Sequence, residues 1–136
     1  MKKKFIVPEN LEQQAIESNI AAISNFCQVD AASHVVFKDV IKKLDLTVQQ
    51  KLLLTLAARF LGRELQSLLK ENLTIVTEAN ADELAKITGD KKEVIQARIK
   101  ELKDAQKVTA EAGIYRITPH GIGNIMMFLQ SKVKDG

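Results

Sequence analysis

A chain of 136 residues with 46% hydrophobic and 27% charged side chains has room for one compact domain plus an appendage, and its composition excludes disorder along most of its length. Two prolines and six glycines leave too little punctuation for an all-β protein, so the expected fold class is mainly α with a small antiparallel β-sheet. The single cysteine, Cys27, excludes an intrachain disulfide, and a net charge of +3 permits nucleic-acid binding without requiring it.

The basic opening Met1-Lys2-Lys3-Lys4 precedes only Phe5-Ile6-Val7 before Pro8, too short an apolar stretch for a signal peptide, and a cytoplasmic location is expected. From Pro8 the pattern reads as a helix over about residues 8–28, with Glu9 and Glu12 near its positive end and an apolar face of Leu11, Ala15, Ile16, Ile20, Ile23 and Cys27. A second helix is predicted from about Asp30, carrying Ala32, Val35, Val36, Val40, Ile41 and Leu44, with Lys42 and Lys43 in its last turn and His34 on its length. These two helices make up an N-terminal extension, residues 1–46.

The remainder, residues 47–136, reads as one domain. Thr47-Val48-Gln49-Gln50 has the form of a capping box and opens a helix whose leucines and alanines wrap nearly all round it, marking a central strut. Its apolar run, Leu52 to Ala58, lies between Lys51 and Arg59 and is far short of the roughly 20 residues that span a bilayer. Gly62 is a point where this helix is expected to kink or loosen before Leu65, Leu68 and Leu69 resume the face. Leu73-Thr74-Ile75-Val76-Thr77 is β-branched and reads as a strand.

Asn80-Ala81-Asp82-Glu83 then caps a short helix that Gly89 stops. Asp90-Lys91-Lys92-Glu93 repeats the cap arrangement before a helix that buries Ile95, Ile99 and Leu102 and ends near Gln106. Val108-Thr109 and Ile114-Tyr115-Arg116-Ile117 flank a turn at Glu111-Ala112-Gly113, a tight hairpin. Thr118-Pro119 opens the last helix, with Ile122, Ile125, Met126, Leu129 and Val133 on its apolar face.

Over residues 47–133 this order resembles the winged helix-turn-helix superfamily. Glu83-Leu84-Ala85-Lys86-Ile87-Thr88-Gly89 is similar to the first helix and turn of the motif. Tyr115-Arg116-Ile117-Thr118-Pro119-His120-Gly121 is similar to the Tyr-x-Leu-Thr-x-x-Gly join between wing and last helix in MarR-, PadR- and ArsR-like regulators. The resemblance implies a winged helix-turn-helix fold and a sequence-specific regulator of transcription that binds duplex DNA, with recognition helix about 90–105.

On that reading Lys91 and Lys92 hold phosphate, Gln96 is placed to read a base edge, Ala97 to touch a thymine methyl, and Lys100 faces the DNA beside them. Arg98 would serve at the groove margin, and Arg116 is the one cation of the wing. The exposed Glu93, Glu101 and Asp104 oppose strong binding, and Glu111 at the short wing tip opposes a minor-groove contact. A homodimer joined through the N-terminal helices and the last helix, with its Met126-Met127-Phe128-Leu129 segment, would double the basic surface; the alternative is that the N-terminal helices cover the central helix within one monomer.

The second reading is a winged-helix module that binds protein and little or no DNA. No nucleophile motif, phosphate-cradling loop or metal-ligand spacing points to an enzyme, a cofactor or a metal. Cys27 reads as a small buried hydrophobe, with redox sensing as the alternative.

Overall fold

The computed structural model describes residues 9–135, with side chains from 15 to 132; Pro8, the side chains of Leu11 and Glu12, and that of Val133 lie outside this set. The fold is mainly helical. Its elements run α1 (Glu9–Ile23), β1 (Cys27–Val29), β2 (Val35–Phe37), α2 (Val40–Leu44), α3 (Val48–Leu68), α4 (Ala81–Thr88), α5 (Lys92–Asp104), β3 (Val108–Glu111), β4 (Ile114–Ile117) and α6 (Pro119–Asp135). The strands form two separate antiparallel pairs, β1–β2 and β3–β4.

α3 is the axis of the molecule. Leu52, Leu53, Leu54, Leu56, Ala57, Ala58 and Leu61 are all buried, and the helix packs against α1, α4, α5, α6 and three of the strands. An apolar surface wrapped round a helix demands cover on every side, and the rest of the fold supplies it. The capping box that starts α3 is formed: Thr47 Oγ1 accepts from the Gln50 amide at 3.1 Å, and Gln50 Oε1 accepts from the Thr47 amide at 2.9 Å. No break occurs at Gly62. A Cβ there would lie 2.8 Å from Val29 Cγ1 and 2.9 Å from Ile75 Cδ1, so the glycine lets β1 and the segment after α3 approach the helix closely.

The N-terminal extension departs from expectation twice. α1 ends at Ile23 because the Ser24 and Asn25 side chains turn back onto the carbonyls of Ala21 and Ala22, and Cys27 enters a strand. In place of a long helix from Asp30 there is a β-hairpin followed by the five-residue α2. Asp30 closes the turn, its Oδ1 accepting from the amides of Ala32 and His34 at 2.9 Å each. Ser33 takes a left-handed φ of 72°, a conformation that a helix cannot contain. His34 therefore sits in an exposed turn, with Nδ1 3.1 Å from Asp30 Oδ2, and on no helix.

Ile23, Phe26, Cys27, Val35 and Ile41 join the same hydrophobic cluster as the leucines of α3 and as Ile125 and Leu129 of α6. α1 packs on α3 and on α6 within one chain.

Residues 73–77 are likewise no strand. Their backbone groups are taken by side chains: Gln66 Oε1 accepts from the amides of Thr74 and Ile75, Ser33 Oγ from that of Val76, and Arg63 donates to the Ile75 carbonyl. A buried backbone must find partners, and here α3 and the first hairpin provide them before a second strand can. Only Ala79 reaches the sheet, exchanging both backbone hydrogen bonds with Tyr115.

Candidate nucleic-acid interface

The α4–α5 unit is built from local signals. Asn80 and Glu83 form a reciprocal capping box at the start of α4, with amide-to-oxygen distances of 3.2 and 2.9 Å. Gly89, at φ 82°, ends the helix with its amide on the Ala85 carbonyl. The Thr88-Gly89-Asp90 turn is then fixed to α3, because Lys51 Nζ lies 2.9 Å from Asp90 Oδ2 and donates to the Thr88 carbonyl at 3.4 Å. Asp90 thus does not cap α5 as expected. The N-cap is Lys91, without a side-chain hydrogen bond, since the Asp90 carboxylate is drawn to the half-buried ammonium of Lys51.

Ile95, Ile99 and Leu102 bury one stripe of α5, leaving the remainder of the helix toward solvent. Lys91, Lys92, Gln96, Ala97 and Lys100 are all exposed, and Arg98 is half-buried. Exposure does not leave every cation available. Lys92 lies 3.4 Å from Asp82, Arg98 3.2 Å from Glu101, and Arg116 3.1 Å from Glu78. Glu101 Oε1, the atom that pairs with Arg98, also accepts from Gln49 of α3. The backbone amide of Glu78 itself, and then the Arg116 guanidinium, hold the Glu78 carboxyl below the ordinary range.

Lys91 and Lys100, by contrast, have no carboxylate in ion-pair range among the described residues, and the same holds for Lys86, Lys103 and Lys107. Helical spacing puts Lys92, Gln96, Lys100 and Lys103 on one flank of α5. Lys86 and Lys103 were not among the residues singled out from sequence; the i, i+3 spacing of Lys100 and Lys103 was the signal for the second of them. Glu93 and Asp104 remain exposed on the outer face.

The β3–β4 hairpin flanks this surface. Its two-residue turn, Ala112-Gly113, has positive φ at both positions (54° and 78°), the geometry that matches the twist of short hairpins. The join to α6 explains the Thr-x-x-Gly pattern. Thr118 Oγ1 donates to the Gln106 carbonyl and accepts from the Gly121 amide, and a Cβ at Gly121 would fall well inside van der Waals contact of the Lys107 carbonyl oxygen. Only glycine allows α6 to begin so close to the entry of the hairpin.

Elsewhere, burial pushes the Cys27 thiol up to about 12, which keeps it neutral. Among the described residues no group of three or more His, Cys, Asp or Glu could hold a metal ion, and no helix is long and apolar enough to cross a membrane. Comparison with protein-family models, with curated proteins and with solved structures gives no match.

Proposed function

We propose that α3–α6 form a winged helix-turn-helix unit and that the protein is a transcriptional regulator that binds duplex DNA through α5, acting as a homodimer. The observation that carries this reading is the presentation of α5. One aliphatic stripe anchors it, a glycine turn locked by Lys51 sets its angle, and the Lys92–Gln96–Lys100–Lys103 flank stands in solvent. In this motif the second helix enters the major groove, where amides such as that of Gln96 pair with adenine edges and ammonium groups hold phosphate.

The ion pairs divide the contributions. Lys91 and Lys100 meet phosphate without losing a partner, whereas Arg98 and Arg116 must first leave Glu101 and Glu78. The short wing, with Glu111 beside its tip, stays outside the minor groove. Met127, 74% exposed on α6, supports self-association through that helix.

The test is fluorescence anisotropy on a panel of labelled duplexes. Lys91→Glu with Lys100→Glu is expected to weaken binding to every sequence by about tenfold or more at low salt. Arg98→Gln and Arg116→Gln should each change it by less than about threefold, because exposed ion pairs are worth little and their loss frees a carboxylate at the margin. Gln96→Ala should alter preference among sequences.

A second reading, a protein-binding module, draws on Glu93 and Asp104, which repel phosphate from the outer face of α5. Absence of duplex binding at low salt, with binding of a protein partner that Ala97→Arg abolishes, would establish it instead.

A further inference from the structure

We propose that the cleft between α1, the β1–β2 hairpin and α3 binds an uncharged, compact apolar molecule of one or two rings, and that its occupancy modulates the α4–α5 surface; the modulation rests on the DNA reading above. The cleft has a volume of about 500 Å³, within the range of small-molecule sites. Part of its floor is Ala58 of α3, whose small side chain leaves room that a larger one would fill. Ile23, Cys27, Ala58 and Leu61 line it and are each at most 5% exposed, so its floor reaches the core while its mouth is open. Ile20, Val29, Val36 and Leu65 complete its apolar walls.

The chemistry of the lining selects the occupant. Among the described residues Asp30 and His34 are its only ionisable side chains besides Cys27, and they lie 3.1 Å apart, with Gln28 as a neutral polar neighbour. The other Asp30 oxygen is occupied by the amides of Ala32 and His34. Ser24 turns its hydroxyl back to the Ala21 carbonyl. Cys27, held neutral by burial, behaves as an apolar group. A charged group entering the apolar floor would lose water with no opposite charge beside it, Asp30 and His34 lying exposed at the rim, whereas a neutral ring would lose only unfavourable hydration.

The link to the interface runs through Arg59, the residue after Ala58. This buried guanidinium donates to the Ser33 carbonyl at 2.9 Å, the Glu78 carbonyl at 2.8 Å and Glu83 Oε2 at 3.2 Å. Ser33 belongs to the turn at the mouth of the cleft, Glu83 to α4, and Glu78 holds Arg116 of β4. A ligand that moves the turn therefore moves a partner of the residue that fixes α4.

Methyl NMR titration of the full chain with indole, benzoate and benzylammonium tests the proposal. Indole should give saturable shifts at Ile23, Val29, Leu61 and Leu65, with both ions binding about tenfold more weakly or worse. Ala58→Leu fills the floor, and Val36→Glu places a charge at a 63% exposed edge where folding is unaffected; each should cost about tenfold in indole affinity. No saturable shift, equal binding of the ions, or wild-type binding by the Val36→Glu protein overturns the site. Saturating indole should change duplex affinity by about fivefold. Unchanged affinity overturns the modulation. A wild-type protein that binds no duplex defeats the DNA reading and the modulation together, while the methyl titration decides the cleft by itself.

Discussion

The two hairpins of this molecule hold their shape by different means. β3–β4 is closed by a two-residue turn, and its exit is locked by Thr118 and Gly121 only a few residues along the chain. β1–β2 has strands of three residues, and its turn, closed locally by Asp30, is held in place from far away in sequence, by Arg59 on the Ser33 carbonyl and by Val76 on the Ser33 hydroxyl. A pair of strands this short is marginal without such support. The second hairpin is therefore closed by its own residues, with Ala79 and Glu78 as its links to the segment after α3, and the first is a consequence of α3 being in place.

That contrast can be broken most forcefully at Arg59. Arg59→Met removes three hydrogen bonds and leaves the Ser33 and Glu78 carbonyls without their donor, and it should cost about 3 kcal/mol in urea unfolding. Hydrogen exchange should show β1–β2 opening while the amides of β3–β4 stay protected; equal loss in both would show that the second hairpin also depends on α3. Gly121→Ala attacks the second hairpin in turn. The new methyl has backbone in its way, so about 2 kcal/mol of destabilisation is expected, with protection lost first at the hairpin exit and the start of α6.

The smallest effect is on acidification. Hydrogen bonds from the His34 amide and ring and from the Ala32 amide hold the Asp30 carboxyl below its ordinary value near 3.9. A depressed folded-state value means that the contribution is complete above the unfolded value and fades as pH falls through the folded one. NMR titration should place the Asp30 midpoint below that of an unstructured Asp, with the β1–β2 turn loosening as the group protonates. A midpoint at the ordinary value would remove Asp30 from the account of the turn.

The same contrast explains what could be read in advance. Thr47 with Gln50, Asn80 with Glu83, and Gly89 act within one turn of helix, so α3, α4 and the turn into α5 were legible from residues alone. So was the pattern from Tyr115 to Gly121, though the reason for its glycine, the Lys107 carbonyl, was not. The apolar residues from Ala32 to Leu44 recur at spacings that also suit a helix; what selects a hairpin is the Asp30 side chain together with Arg59, nearly thirty residues away. The β-branched run from Leu73 failed similarly, because Gln66 and Ser33 took the amides that a strand would have used.

Within the candidate interface, the exposure of Lys91, Lys92, Gln96, Ala97 and Lys100 followed from the buried stripe, and Arg98 and Glu101 stand at the i, i+3 spacing of a helical pair, whereas the pairing of Lys92 and Arg116 with Asp82 and Glu78 did not follow from the sequence. Asp82 stands on α4 and Glu78 in the segment before it, and no spacing in the sequence announces them.

The most direct test of the central claim is the dependence of duplex affinity on salt, measured for the wild type and for Lys91→Glu with Lys100→Glu. If α5 meets phosphate through these two lysines, log affinity falls steeply and linearly with log salt in the wild type, and the slope of the variant is shallower by about two. Identical slopes in the two proteins, or wild-type affinity indifferent to salt, would contradict it.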